Sequence, residues 1–235
     1  MKKFFTWLVI VLAVIVLIGG YFGLVPGLSD VMGANKARDL GIKYTDADLQ
    51  KARATTGVSL QDKTDGTSSL EYSGEKSISG EYSNEMITAM INGAKYIYYP
   101  LSNTQVKISS DGTIETAGNF NVTKALNWST DVGGSQILAD QAKPYTKFVS
   151  NNPSFYLKGT MGIKDNNITV DIKEAQISRF TAPKSIIDKY QGELATFVES
   201  KIKAIPGMNV KSADFSTGVL KLDATYPAIS KTKKL

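Results

Sequence analysis

Few residues of this chain stand at spacings that do chemistry. Ser73 and Lys76 have the S-x-x-K spacing of serine acyl-transfer enzymes. That chemistry needs the serine at a helix start and companion Ser-Asp-Asn and Lys-Thr-Gly motifs. The flanks here are Gly-rich and polar, neither companion occurs, and a solvated loop is expected. Glu81 and Glu85 are a carboxylate pair of the kind a glycosidase uses, but capping of a helix terminus explains them equally. Asp62-Lys63-Thr64-Asp65-Gly66 opens like a calcium loop, yet it lacks the alternating ligands and the glutamate at the twelfth position, so a turn is expected. Neither G-x-x-x-x-G-K-[ST] nor G-x-G-x-x-G occurs, which leaves nucleotide binding without support.

Two zeros narrow the chemistry further. The 235 residues include no cysteine and no histidine. Disulfides, thiol nucleophiles, imidazole or thiolate metal sites and every His-dependent triad are excluded. No catalytic residue, metal or cofactor is assigned. Lys plus Arg number 27 against 22 acids, a net charge of +5 to which Lys2 and Lys3 contribute. That balance is too weak to argue for nucleic acid.

The elements that would carry a site begin with an apolar run. Residues 4–29 contain no charge, and Trp7 to Ile18 is almost wholly Leu, Val, Ile and Ala. This reaches the ~20 residues needed to cross a bilayer as a helix, with Trp7, Leu8, Ile10, Leu12, Ile15 and Leu17 as its lipid-facing residues. A cleaved secretory signal competes, with Ala34 after the nearest small-residue site, but the run outlasts a typical signal core. Residues 1–29 are therefore expected to be an uncleaved signal anchor. Lys2 and Lys3 stay cytoplasmic and the remaining chain is exported to the extracytoplasmic face of the cell membrane. Gly19 and Gly23 have a helix-pairing spacing, though small residues at the membrane edge explain them as well.

Residues 30–79 read as a polar, partly helical stalk. Ser29 or Asp30 would cap a helix through Ala37–Leu40, and Thr45 a second one over Asp46–Arg53. Ser77-Ile78-Ser79 is a possible strand. From residue 80 to 228 the pattern is α+β. Ser83 caps an amphipathic helix that Gly93 ends. Three hairpins turn at Asp111-Gly112, Asp165-Asn166-Asn167 and Ser216-Thr217-Gly218. A short helix is expected over residues 136–143, before Pro144. The best helix runs from Pro183 to Ile205, with a stripe of Ile186, Ile187, Tyr190, Leu194, Phe197, Val198, Ile202 and Ile205. The stretches helix–Pro100–Val106–Asp111-Gly112 and helix–Pro206–Val210–Thr217-Gly218 share a plan, an internal repeat of elements. A curved antiparallel sheet with the long helix in its concave face would bury both apolar surfaces. Residues 229–235 are a basic tail, of which Lys231-Thr232-Lys233-Lys234 is expected to fray.

Several of these stretches carry a resemblance. They are Ser83-Asn84-Glu85-Met86-Ile87-Thr88, Gln105-Val106-Lys107-Ile108 into Asp111-Gly112-Thr113-Ile114, Tyr156-Leu157-Lys158-Gly159-Thr160-Met161-Gly162 and Gly218-Val219-Leu220-Lys221-Leu222. In their order they resemble the membrane-anchored LmeA-type family of extracytoplasmic phospholipid-binding domains, which is related in architecture to the tubular lipid-binding (TULIP-like) proteins. The resemblance covers about residues 80–227 and is one of element order. It implies a lipid-binding, non-catalytic domain and carries over no site residue.

The residues themselves leave two readings of the long helix and the strand facing it. An apolar helix face is ordinarily core. Lipid becomes competitive because Gly118, Gly159 and Gly162 thin the strands' side-chain layer and Met161 and Met208 are adaptable. On that reading Phe155, Met161, Leu194, Phe197 and Leu220 line a cleft for membrane lipid. The rival is a structural or protein-interaction domain of the cell envelope with a packed core. A carboxylate hydrolase is a third class with no residues to name. Lys95-Tyr96-Ile97-Tyr98-Tyr99-Pro100 is read as an aromatic stretch at a sheet edge or a cleft mouth. Asn121, Asn127 and Asn167 head glycosylation sequons.

Overall fold

Turn chemistry sets the frame. A computed structural model describes residues 2–64, 69–94, 96–131 and 150–233. Its helices and strands, in chain order, begin with α1 (Lys2–Tyr21), α2 (Leu28–Val31), α3 (Asp46–Thr56), β1 (Ser59–Asp62), β2 (Leu70–Ser73), β3 (Lys76–Tyr82) and α4 (Asn84–Asn92). They continue with β4 (Leu101–Ile108), β5 (Ile114–Phe120), α5 (Val122–Asp131), β6 (Ser154–Lys164), β7 (Asn167–Ile177) and β8 (Phe180–Thr181). The last are α6 (Lys184–Ala204), β9 (Asn209–Asp214), β10 (Leu220–Tyr226) and β11 (Ile229–Thr232). All three expected hairpins form: β4–β5, β6–β7 and β9–β10. Asp165 and Asn166 both take positive φ (50° and 63°), the conformation of a tight hairpin turn matched to strand twist.

Eight strands make one strongly curled antiparallel half-barrel. β6 is its seam: one edge pairs first with β5 and then, at Ile163 and Lys164, with β9. The turns at Gly112 and Gly218 consequently abut. A Cβ on Gly218 would stand 3.6 Å from the Ser110 Cα, and both glycines have φ of 81°. The two halves of the internal repeat thus meet tip to tip. Val106, Ile108, Ile168, Ile202, Val210 and Phe215 centre the main apolar cluster, and Ala52, Ile78, Tyr82 and Met86 form a second beneath α3 and α4.

Helices close the β4 edge and part of the β7 edge in one way. Along α4, Asn84, Thr88 and Asn92 stand one turn apart. Their side-chain oxygens accept from the backbone N–H of Ile108 (2.9 Å), Val106 (3.0 Å) and Thr104 (3.0 Å). Their own donors return to the carbonyls of the same three residues. Four helical residues rise ~6 Å and two strand residues ~6.6 Å, so an antiparallel helix keeps step with every outward-facing pair of the edge. α6 repeats the device on β7. Gln191 accepts from Ile172 N–H and Glu199 from Ile168 N–H.

That device corrects the expected place of the long helix. α6 forms over the expected residues but follows the β7 edge. Ala195, Val198 and Ile202 join the core, whereas Ile186, Tyr190 and Leu194 are exposed. Residues 37–40 are not helical. Leu40 and Ile42 N–H donate to the Gln105 side chain, Asn119 and Ser154 donate to the carbonyls of Asn35 and Ala34, and Arg38 stacks 3.6 Å from the Tyr156 ring centroid. These bonds occupy the backbone groups a helix would need. The stretch expected as a stalk supplies α3, which packs on α4, and β3, which pairs with β10. Nor does the C-terminal end fray where it is described: β11 lies between β1 and β2. The expected helix over residues 136–143 lies outside the described residues, while α5, capped by Asn121, was not foreseen.

Two predictions concern these contacts. Thr88→Val keeps shape but strands the buried Val106 N–H, and should cost about 1–3 kcal/mol in chemical denaturation, more than Thr55→Val on α3, where the hydroxyl only donates to the Lys51 carbonyl and no backbone N–H is stranded. Glu71 accepts from Lys231 (2.7 Å) and Lys63 (2.8 Å), in that order of effect, and its carboxyl is held down from 4.5 to about 2. Its support for β2 and β11 is therefore complete above pH 4.5 and is lost as pH falls towards 2. The protection of the Ile229–Thr232 amides, relative to their intrinsic exchange at each pH, should fall over that range, and Glu71→Gln should remove the dependence.

Candidate functional site

Among the described residues, none of the five expected to line a cleft lines the cavity described below. Met161 and Leu220 pack against the main core. Phe197 meets Trp128 edge-on at 6.0 Å, with Lys201 Nζ 5.1 Å from its ring, and desolvation there lowers the Lys201 pKa. Leu194 is exposed on α6, and Phe155 is half-buried on β6 beside Gly118. The glycines make no room either. A Cβ on Gly159 would fall on the backbone of Asp171 at a β-bulge, and one on Gly118 would reach Thr104 at 2.6 Å. They serve close backbone approach, not a void.

The space is elsewhere. A cavity of about 470 Å³ lies between α3–α4 and the β9–β10–β3 end of the sheet. Leu222, Ala224 and Tyr226, alternate residues of β10, supply its floor with Val210 and Ile78. Leu49 and Arg53, one turn apart on α3, and Met90 on α4 form its roof, and Met208, Tyr96 and Leu60 line it further. The Arg53 Nε is buried and has no hydrogen-bond partner among the described residues. Burial of Tyr226 raises its hydroxyl pKa. The sequence held a trace of this site, an arginine one turn from Leu49 on a helix that ends in an apolar segment. Of β10, Leu220 alone was expected to line a cleft, and not Leu222, Ala224 or Tyr226.

The remaining motifs have structural settings. Ser73, Gly74, Glu75 and Lys76 form the β2–β3 connection, with Ser73 paired to Ile229 in a strand and not at a helix start. Glu81 faces Lys221 across β3–β10 at 3.7 Å, and Glu85 sits in the first turn of α4. Residues 65 and 66 of the calcium-like segment lie outside the described residues. Tyr96 is buried with its hydroxyl 2.8 Å from Ser69 Oγ, and burial pushes the Tyr99 pKa up to about 12. No cluster of three or more metal-ligating acids occurs among the described residues.

A second feature is α1. Trp7, Ile10, Leu12, Ile15 and Leu17 are all exposed, as are Val9, Val14, Val16 and Ile18 between them; Leu8 lies outside the residues whose side chains are described. Among the described residues no helix is long and apolar enough to cross a membrane. The C-terminal end of α1 seats on the β7–β8 turn. Arg179 stacks on Tyr21 at 4.4 Å and donates to the Met32 carbonyl, and a Cβ on Gly23 would strike Ser178. Phe22, Leu24, Val31, Ile177 and Phe180 are exposed on α1's C-terminal flank and on the strands that meet at this turn.

Compared with protein-family models, with curated proteins and with solved structures, the chain matches none.

Proposed function

We propose that this chain is a membrane-anchored, extracytoplasmic lipid-binding module without a catalytic role, and that its lipid occupies the cavity beneath α3 and α4. The observation that carries the reading is that cavity: about 470 Å³, walled mostly by apolar side chains, within the ~300–1,000 Å³ typical of small-molecule sites. Each acyl methylene buried there contributes about 0.8 kcal/mol, so ten ordered methylenes support roughly micromolar binding after the cost of association. Met90 and Met208 give the walls the adaptability that acyl chains require. The resemblance to LmeA-type domains belongs to this same proposal.

Anchoring rests on α1. A helix apolar on every side is stable only where something apolar surrounds it, and from Trp7 to Ile18 nearly all the described side chains of α1 are exposed. Its 20 residues are ~30 Å long, the thickness of a bilayer's hydrocarbon core. Tyr21 and Phe22 at its end, with Arg179 on Tyr21, suit the interfacial zone, and Lys2 and Lys3 orient the helix with its start in the cytoplasm. The rival reading, an envelope protein-interaction domain, draws on the exposed strip Ile186, Tyr190 and Leu194. It requires a filled core, and the cavity counts against it.

Two experiments test the proposal. Met90→Trp should fill the cavity and abolish recovery of co-purifying lipid by mass spectrometry while leaving the melting temperature nearly unchanged. Met161→Trp, in the packed core, should instead overpack and cost about 1–3 kcal/mol. Lipid recovered equally from wild type and Met90→Trp would rule out this cavity as the site. Separately, the full chain should stay in the membrane pellet after high-salt and alkaline washes, with its C-terminal end cleaved by protease added outside. Release by alkali would end the anchor reading.

A further inference from the structure

We infer that the cavity's occupant is a single-chain amphiphile with an anionic head, and that the Arg53 guanidinium is the group that holds the head; this rests on the lipid reading of the cavity. Arg53 and Asp62 are the charged residues among those lining it. Asp62 is exposed on β1, where water and salt screen it. Arg53 is half-buried on α3, and its Nε is shielded from water with no acceptor in reach among the described residues. A guanidinium does not shed its proton to relieve that situation. A buried donor without an acceptor, on a group that stays charged, is costly to the folded chain. An anionic oxygen brought in by a ligand removes that cost.

The geometry limits the class of ligand. A guanidinium is a planar fork that matches the paired oxygens of a carboxylate or a phosphate. The rest of the wall is chiefly apolar: Leu49 lies one turn before Arg53, and Leu222, Ala224 and Tyr226 lie opposite on the sheet. A head bound at Arg53 therefore sends its tail across β10 towards Met208. A volume of about 470 Å³ accommodates one acyl chain. The class is a free fatty acid or a lysophospholipid acid, which share one chain and one anionic head.

Calorimetric titration of the full chain, held in amphipol, with palmitate, methyl palmitate and lysophosphatidate tests the inference. Palmitate or lysophosphatidate should bind at least about tenfold more tightly than the methyl ester, the size of one charge-assisted hydrogen bond. The tighter of the two names the head as carboxylate or phosphate. Arg53→Met should bring acid and ester to equal affinity without weakening the ester, and Arg53→Lys should retain part of the difference. A photoactivatable palmitate should label peptides of α3, α4 and β10. Should Arg53→Met fail to fold, the comparison of acid with ester on the wild type decides alone. Equal binding of acid and ester by the wild type overturns the anionic head and leaves the lipid cavity standing. Absence of binding by all three, with no labelling at the cavity, overturns the lipid reading itself.

Discussion

A curled open sheet must satisfy the backbone groups along its edges, and the way this chain does so governs the rest of its structure. At β4 every outward N–H between Thr104 and Ile108 is met by a side chain of α4, and at β7 the N–H groups of Ile168 and Ile172 are met by α6. An unpaired buried amide costs about as much as a hydrogen bond is worth, and an exposed one is a template for aggregation. Polar residues at one-turn spacing, in helices that otherwise pack through apolar faces, address both. The helices are thereby fixed in register against the strands.

The cavity follows from that register. α4 is held at the β4 edge by Asn84, Thr88 and Asn92 and packs through Met86 and Ala89 beside α3. It cannot slide inward over β9 and β10. The residues left facing the gap include small ones, Ala224 on the floor and Gly93 and Ala94 at the end of α4. Interiors normally close to near-crystalline density; here an edge constraint and small side chains keep them apart. The same placement puts Arg53, on the helix paired with α4, over the space with one donor unsatisfied. Edge closure, cavity and the unsatisfied Arg53 donor are thus consequences of one arrangement.

The other end of the molecule is organised by α1. Its C-terminal end is locked to the β7–β8 turn by Arg179, Ser178 and Gly23, and the chain that follows is tied to the sheet through Asn35, Arg38 and Gln105. A slack tether would let the domain move freely with respect to the helix. Side-chain amides bonded to the linker's backbone remove that slack, so an anchored α1 would carry the domain at a set distance from the bilayer.

Local chemistry was legible in the sequence. Asp111-Gly112, Asp165-Asn166 and Thr217-Gly218 mark hairpin turns because positive φ is cheap there. Thr45 and Ser83 mark helix starts because their side-chain oxygens accept from a free N–H of the first turn, and Pro183 marks one because its fixed φ suits a helix entry. The apolar character of α1 was equally plain. Partners across space were not. Periodicity identified an apolar stripe on α6 but not that Gln191 and Glu199, beside it, would pin the helix to an edge and leave Ile186 and Tyr190 uncovered. Residues 37–40 look helical until Gln105, Asn119 and Ser154 claim the backbone around them, and residues 231 and 232 look frayed until β1 and β2 flank them. Arg53 reads as a surface residue until Leu222, Ala224 and Tyr226 are set opposite it. Propensity and spacing act within a few residues of chain, and so the sequence by itself determined turns, caps and apolar faces. What each face meets depends on contacts between residues far apart in sequence, and only the tertiary structure decided where the helices lie and where the core stays open.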